Sequence, residues 1–214
     1  LFAYITRQRG AFDQTLYRQI IGAANDYKEG DEAIGVAADR DDRTTRTNAR
    51  ALLANTKLGD LDGQPLLSDQ QYRLIMDTTD AAARARIAGW TLGQLKQRLL
   101  SDDEAAIKAY APGLSSDIIG CIVKLLTNAE LIAIGQKVFT PLPGSNVGQK
   151  GYMGARIQPN SPTDNVDDIM WQVFDGFSYA VGDVVLGCNP VSSAAESVAA
   201  IENRLQDILR TFGL

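Results

Sequence analysis

Apolar residues recur at helical spacing through the first two-thirds of the chain. Phe12, Leu16, Ile20 and Ile21 form one stripe, and Asp13 stands where an N-cap would. Glu29, Gly30 and Asp31 break that helix, and residues 32–38 begin another. Residues 44–53 and 79–90 are rich in Ala and Arg, both good helix formers. Thr91 is placed to cap the next helix, whose Leu92, Leu95, Leu99 and Leu100 make one stripe. Pro112 and Gly113 end that group. Ser115, Ser116 and Asp117 then open a long amphipathic helix carrying Ile118, Ile119, Ile122, Val123, Leu125 and Leu126.

The pattern changes after residue 140. Residues 141–151 (PLPGSNVGQKG) form a Gly/Pro loop and the best domain boundary. Gly144, Gly148 and Lys150 lack the spacing and the terminal Ser/Thr of a phosphate-cradling loop, so a linker is the better reading. Residues 152–157 read as a short strand, and 166–179 as a helix with Ile169, Met170, Val173, Phe174 and Phe177 on one side. Residues 183–188 make a second strand around Val184, Val185 and Leu186. Asn189 and Pro190 close it, Ser192 and Ser193 are capping candidates, and residues 198–214 are amphipathic. The fold class expected is α/β: a helical region over 1–140, a linker over 141–150, and two consecutive βα units over 151–214.

Composition narrows the function. With 45% hydrophobic and 22% charged residues the chain is an ordinary globular protein. A net charge of −5 argues against nucleic acid as the main partner, because a phosphate backbone needs a clustered basic surface. Arg40, Arg43, Arg46 and Arg50 are interleaved with Asp39, Asp41 and Asp42, which reads as a solvated helix face. No run reaches the ~18–20 apolar residues of a membrane span. The first residues lack both the order of a signal peptide and an initiator Met, so processing or trimming at this end is expected. The sequence contains no histidine, which argues against a hydrolytic triad or a zinc site built from these residues. Of the two cysteines, Cys121 reads as a small buried apolar residue.

A strand that feeds a helix and returns to a parallel strand is the βαβ unit, and such sheets bind ligands at the carboxyl ends of their strands. Arg156, Gln158 and Asn189 fall at those ends. Arg156 and Gln158, two apart, project from one strand face. An Arg there is more often a rim ion pair than a ligand, and an Asn before Pro more often a turn former than a substrate binder. Together the three are hydrogen-bonding groups among apolar neighbours, and two of them do not titrate. That suits holding a small polar molecule in a buried site rather than moving protons. Two strands close no sheet, and a (β/α)8 barrel takes about 250 residues.

At these positions the chain resembles a known family. Ala155, Arg156, Ile157, Gln158, Pro159 and Asn160, then Asp167 and Asp168, then Gly176, Phe177 and Ser178, then residues 182–191 (GDVVLGCNPV) resemble the large, catalytic subunit of ethanolamine ammonia-lyase. Residues 30–38, 100–102 and 128–132 resemble it in the same order, and the match weakens before about Tyr17. The resemblance implies an N-terminal helical region followed by a (β/α)8 TIM barrel, of which this chain holds the first two βα units. It implies adenosylcobalamin as cofactor, ethanolamine as substrate, acetaldehyde and ammonia as products, and radical chemistry carried by the cofactor. Arg156 matches the arginine that contacts the substrate hydroxyl and carries the catalytic assignment; Gln158 and Asn189 match the amides that bind substrate.

The implied partners are the small subunit and further large subunits, in the cytoplasm or a bacterial microcompartment. The acidic residues that hold the amino group belong to later strands, so the chain alone is expected to be inactive. Cys188 stands where an aliphatic residue is expected. Two other readings remain: a non-catalytic helical binding module, and a different barrel enzyme acting on a small amine or hydroxy acid.

Overall fold

The structure, a computed structural model, describes residues 1–25, 43–180 and 182–214. The expected break at residues 29–31 and the helix over 32–38 lie outside the described residues, as do Asp39, Arg40, Asp41 and Asp42. Two compact units are present, Leu1–Val138 and Phe139–Leu214.

The first unit is helical: α1 (Phe2–Arg9), α2 (Gln14–Ala23), α3 (Arg43–Ala54), α4 (Leu58–Asp62), α5 (Gln70–Thr78), α6 (Ala81–Ile87), α7 (Leu92–Ser101), α8 (Glu104–Tyr110), α9 (Ser116–Val123) and α10 (Asn128–Gly135). Short helices leave a large share of their backbone N–H groups unpaired at the N-terminus, and side-chain caps supply the missing acceptors. Asp13, Asp69, Asp80, Thr91, Asp103, Ser115 and Thr127 each accept from an amide three residues on. Each cap contributes about 1 kcal/mol. Thr91 with Gln94, and Thr127 with Glu130, form reciprocal capping boxes.

The Leu stripe of α7 behaves as its spacing predicts, with Leu92, Leu95 and Leu99 buried in a core shared with Leu53, Leu58, Leu61, Ile87 and Ile118. Cys121 is also buried there, and burial pushes its thiol up to about 12.

Three expectations are corrected in this unit. The long helix expected after Ser115 is short, because Thr127 nucleates a new helix instead of continuing the old one. Lys96 stabilises the break: its Nζ donates to the Leu125 carbonyl at 2.8 Å and to Glu130 at 2.9 Å. The helix expected over 79–90 is confined to α6, since Asp80 caps it from the N-terminal side. Of the α3 arginines only Arg43 is exposed, so they do not form one solvated face. Arg46 is buried, and the Nε groups of Arg46 and Arg50 donate to the carbonyls of Asn25 and Ala24 at 2.7 and 2.8 Å. They satisfy acceptors left open at the end of α2.

The second unit contains β1 (Ala155–Ile157), α11 (Val166–Ser178), β2 (Val184–Leu186) and α12 (Ala195–Phe212). β1 and β2 pair in parallel, with Ala155 opposite Val184, Arg156 opposite Val185 and Ile157 opposite Leu186. Both strands are shorter than their apolar patterns. Ile157 and Leu186 pack with Ile169 and Val173 of α11 and Ile201, Leu205 and Ile208 of α12. Burying each such aliphatic side chain contributes roughly 1.5–3 kcal/mol. The alternate residues Arg156 and Val185 are exposed. Residues 141–151 belong to this unit: Ser145 Oγ and Asn146 N donate to Asp183 Oδ2 at 3.1 and 2.6 Å. Ser192 and Ser193 do not cap α12. Ala194 occupies the N-cap position without a side-chain bond, and Ser192 Oγ instead accepts from Ala194 N.

Gly113 is buried where a β-carbon would lie 2.6 Å from the Ala83 carbonyl carbon and nearer still to Arg84 N. Backbone cannot yield as a flexible side chain does, so Gly113→Ala is expected to cost about 1–3 kcal/mol by chemical denaturation. Asp62 accepts from Ser115 Oγ at 2.6 Å and Asp117 from Leu66 N at 3.1 Å. Burial raises both carboxyls above their ordinary value of 3.8. The folded state therefore holds these protons more tightly than the unfolded one, and stability present at low pH is lost as pH rises through the raised values. Asp117→Asn keeps an acceptor for Leu66 N–H and removes the titration. Its stability relative to the parent is expected to grow as pH rises from about 4, as urea denaturation across a pH series would report.

Candidate functional site

The carboxyl ends of β1 and β2 carry all three candidate residues. Arg156, Gln158 and Asn189 are exposed, so on this chain they line an open face and not a buried site. Gly187 N donates to Ile157 O at 3.1 Å, extending the ladder one residue past the strands. That bond places Gln158, which follows Ile157, beside the turn that leads to Asn189. No hydrogen bond among the described residues engages the side-chain amide of Gln158 or Asn189.

Arg156 lies across the end of β2. A β-carbon on Gly187 would meet its Nη2 at 2.6 Å and its Nε at 3.0 Å, so the guanidinium occupies space that only glycine leaves open. The strand pairing sets the Arg156 backbone against Val185, and the missing side chain at Gly187 lets the guanidinium reach the strand end.

Both loops beyond the strands are tied down. Asn160 N donates to Gln172 Oε1 at 3.0 Å while Gln172 Nε2 donates back to Asn160 O at 2.8 Å. Ser161, buried, accepts from Thr163 N and Asn165 N. Asn165 caps α11 by accepting from Asp167 N and Asp168 N. Asp167 also faces Arg204 at 3.4 Å, which marks it as a surface ion pair.

Asp164 connects the two loops. Its Oδ1 accepts from Val191 N at 2.8 Å, and its Oδ2 from Ser192 N at 2.8 Å and Ser197 Oγ at 3.0 Å. These bonds, the backbone amides first, hold its carboxyl below the ordinary value. Asp164 adopts φ 53°, a left-handed conformation that Asp tolerates better than most residues.

Cys188 Sγ donates to Glu202 Oε1 at 3.4 Å, and burial followed by that carboxylate raises its thiol. It is a poor nucleophile in this state. The face thus offers one fixed cation and two amides that hydrogen-bond without titrating. Among the described residues, no group of three or more His, Cys, Asp or Glu side chains is arranged to hold a metal. No helix of the described residues is long and apolar enough to cross a membrane.

Asp164, Gln172 and Gly187 were not legible as site residues. Gln172 and Asp164 act on backbone groups 12 to 28 residues away, a distance no local pattern encodes. Gly187 had one signal, a glycine just past an apolar strand.

Comparison with known proteins bears on what this face is for. The family profile described as ethanolamine ammonia lyase large subunit (EutB) matches residues 12–214. The ethanolamine ammonia-lyase large subunit of Escherichia coli strain K12 is 29% identical over 204 residues, covering 92% of this chain and 44% of that protein. The corresponding subunit of Salmonella typhimurium is 28% identical over 203 residues, again covering 92% of this chain and 44% of the relative. The chain spans somewhat under half the length of these curated relatives. With a match that runs through both units and takes in Arg156, Gln158 and Asn189, this chain belongs to the ethanolamine ammonia-lyase large-subunit family.

Proposed function

We propose that the chain supplies part of the substrate-binding face of an adenosylcobalamin-dependent ethanolamine ammonia-lyase, which converts ethanolamine to acetaldehyde and ammonia. What supports this reading is a guanidinium lying against Gly187 at the end of a parallel strand pair, with the exposed amides of Gln158 and Asn189 in the segments that follow the two strands, in a chain of this family. In this proposal residues 1–140 form the helical region, 141–150 a connecting loop, and 151–214 the first two βα units of a (β/α)8 barrel. The small subunit, other large subunits and a cytoplasmic setting, with a bacterial microcompartment as the alternative, belong to the same proposal.

Arg156, as the catalytic residue, would donate to the substrate hydroxyl oxygen, a charge-assisted bond that strengthens as negative charge gathers there. Gln158 and Asn189 would accept from the substrate ammonium through their amide oxygens and leave its protonation unchanged. The donor set suits such a cofactor: Arg156, Gln158 and Asn189 bind by hydrogen bonds, which leaves bond breaking to a group that brings its own reactivity. Adenosylcobalamin, when bound, would supply the radical chemistry, while Arg156, Gln158 and Asn189 would hold the substrate toward it. The chain's own residues bind and orient. Because the three stand open to solvent here, exclusion of water requires surfaces beyond these residues.

In the full-length subunit, assembled with the small subunit and loaded with adenosylcobalamin, Arg156→Ala is expected to lower kcat/KM for ethanolamine about 100-fold or more without changing the melting temperature. Wild-type activity in that variant would remove Arg156 from the site. Gly187→Ala places a methyl group against the guanidinium and is expected to cost about 10- to 100-fold while the fold stays intact. The 214-residue chain alone is expected to release no acetaldehyde from ethanolamine with adenosylcobalamin; turnover by it would overturn the need for completing surfaces.

A further inference from the structure

Asn189 is suspended between two anchored points. On its N-terminal side, Gly187 N is bonded to Ile157 O. On its C-terminal side, Val191 N and Ser192 N are both held by the Asp164 carboxylate. Pro190 lies between, fixing its own φ and confining Asn189 to extended backbone. Once Val191 and Ser192 are held, little freedom remains for the Asn189 side chain to leave the strand end. Asp164 belongs to the loop that carries Gln158, so one side chain joins the segments that follow the two strands. Its left-handed backbone carries an energetic cost that persists only where surrounding bonds over-determine it. Here three accepted bonds do so.

We infer that Asp164 is the positioning residue of the substrate face: its carboxylate buckles the Asn189 loop to the Gln158 loop and thereby holds both amides at the separation that ethanolamine requires. The inference rests on the proposed function for its substrate and on the loop geometry for its action. With the buckle open, only a fraction of molecules presents both amides together. Apparent affinity falls by that fraction, while a substrate that does bind restores the arrangement and reacts at a similar rate.

The test uses the full-length, assembled and cofactor-loaded protein, with Asp164→Ala, Asp164→Asn and, as a surface control, Asp167→Asn. Asp164→Ala is expected to raise KM for ethanolamine 10-fold or more while kcat changes less than 3-fold. Asp164→Asn keeps a side chain tolerant of the left-handed backbone and one acceptor oxygen, and should fall between it and the parent; it also serves if the alanine variant does not fold. Asp167→Asn should match the parent. A merely structural role would reduce the active fraction, lowering apparent kcat at unchanged KM, and that result would overturn the inference.

Hydrogen exchange on the substrate-free protein supplies a second readout. Amides 191 and 192 should exchange at least 10-fold faster in Asp164→Ala, and unchanged exchange of both in that variant would also overturn it. If the parent protein does not act on ethanolamine, the proposed function fails, and the exchange measurement still decides whether Asp164 holds the loop.

Discussion

The second unit depends on a single hydrogen bond more than on any other, the one from Gly187 N to Ile157 O. Each strand contributes only three residues to the ladder. A pair so short gains little by itself, since isolated two-stranded sheets are marginal in water. The bond past the ladder commits both chains to continue side by side at the point where their polar residues begin. Gln158 directly follows this bond and Asn189 stands two residues past it, and the absence of a side chain at Gly187 gives Arg156 its place. Ile157 and Leu186 hold the other face down on α11 and α12. Alternation of side chains along a strand thus divides the faces: one builds the core and the other stays exposed.

The helical unit solves a different problem. Its helices are short, so a large share of their backbone groups lack partners within the helix. Aspartate, serine and threonine caps meet this need at the N-termini. Long cations meet it at the other ends, with Arg46 and Arg50 on α2, Lys96 on Leu125, and Lys137 on Leu100 and Asp102. Several charged residues here thus complete helix ends. A β-carbon at Gly113 would strike the backbone of α6, which shows how closely the elements approach.

What could be read in advance followed from short-range physics. Asp13 and Thr91 announced helix starts because a cap acts three residues on. The βαβ unit and its polar strand ends were legible because an apolar run closed by Asn189 and Pro190 is a local signature. Arg46 and Arg50 were misread, since their acceptors lie on another helix 21 and 26 residues away. The apolar run beyond Ser115 looked like one helix because periodicity does not register that Thr127 competes to start its own. Ser192 and Ser193 had the right chemistry for caps and the wrong place, displaced when Asp164 took the Ser192 amide. The candidate side chains could be picked out by local pattern, and the bonds that tie down their loops could not.

The separation of Asp164 from its partners also sets an order of events during folding. The carboxylate and the amides of Val191 and Ser192 lie 27 and 28 residues apart, with α11 and β2 between them. A loop of that length must close before the bonds can form, and its closure is favourable only once α11 has docked on the strands. Contacts of such sequence separation generally form late in folding, after the local structure they join. Bonds of that kind leave the folding rate nearly untouched and act by slowing the reverse step. The feature that joins the two segments thus also governs how long a folded molecule keeps its binding edge assembled.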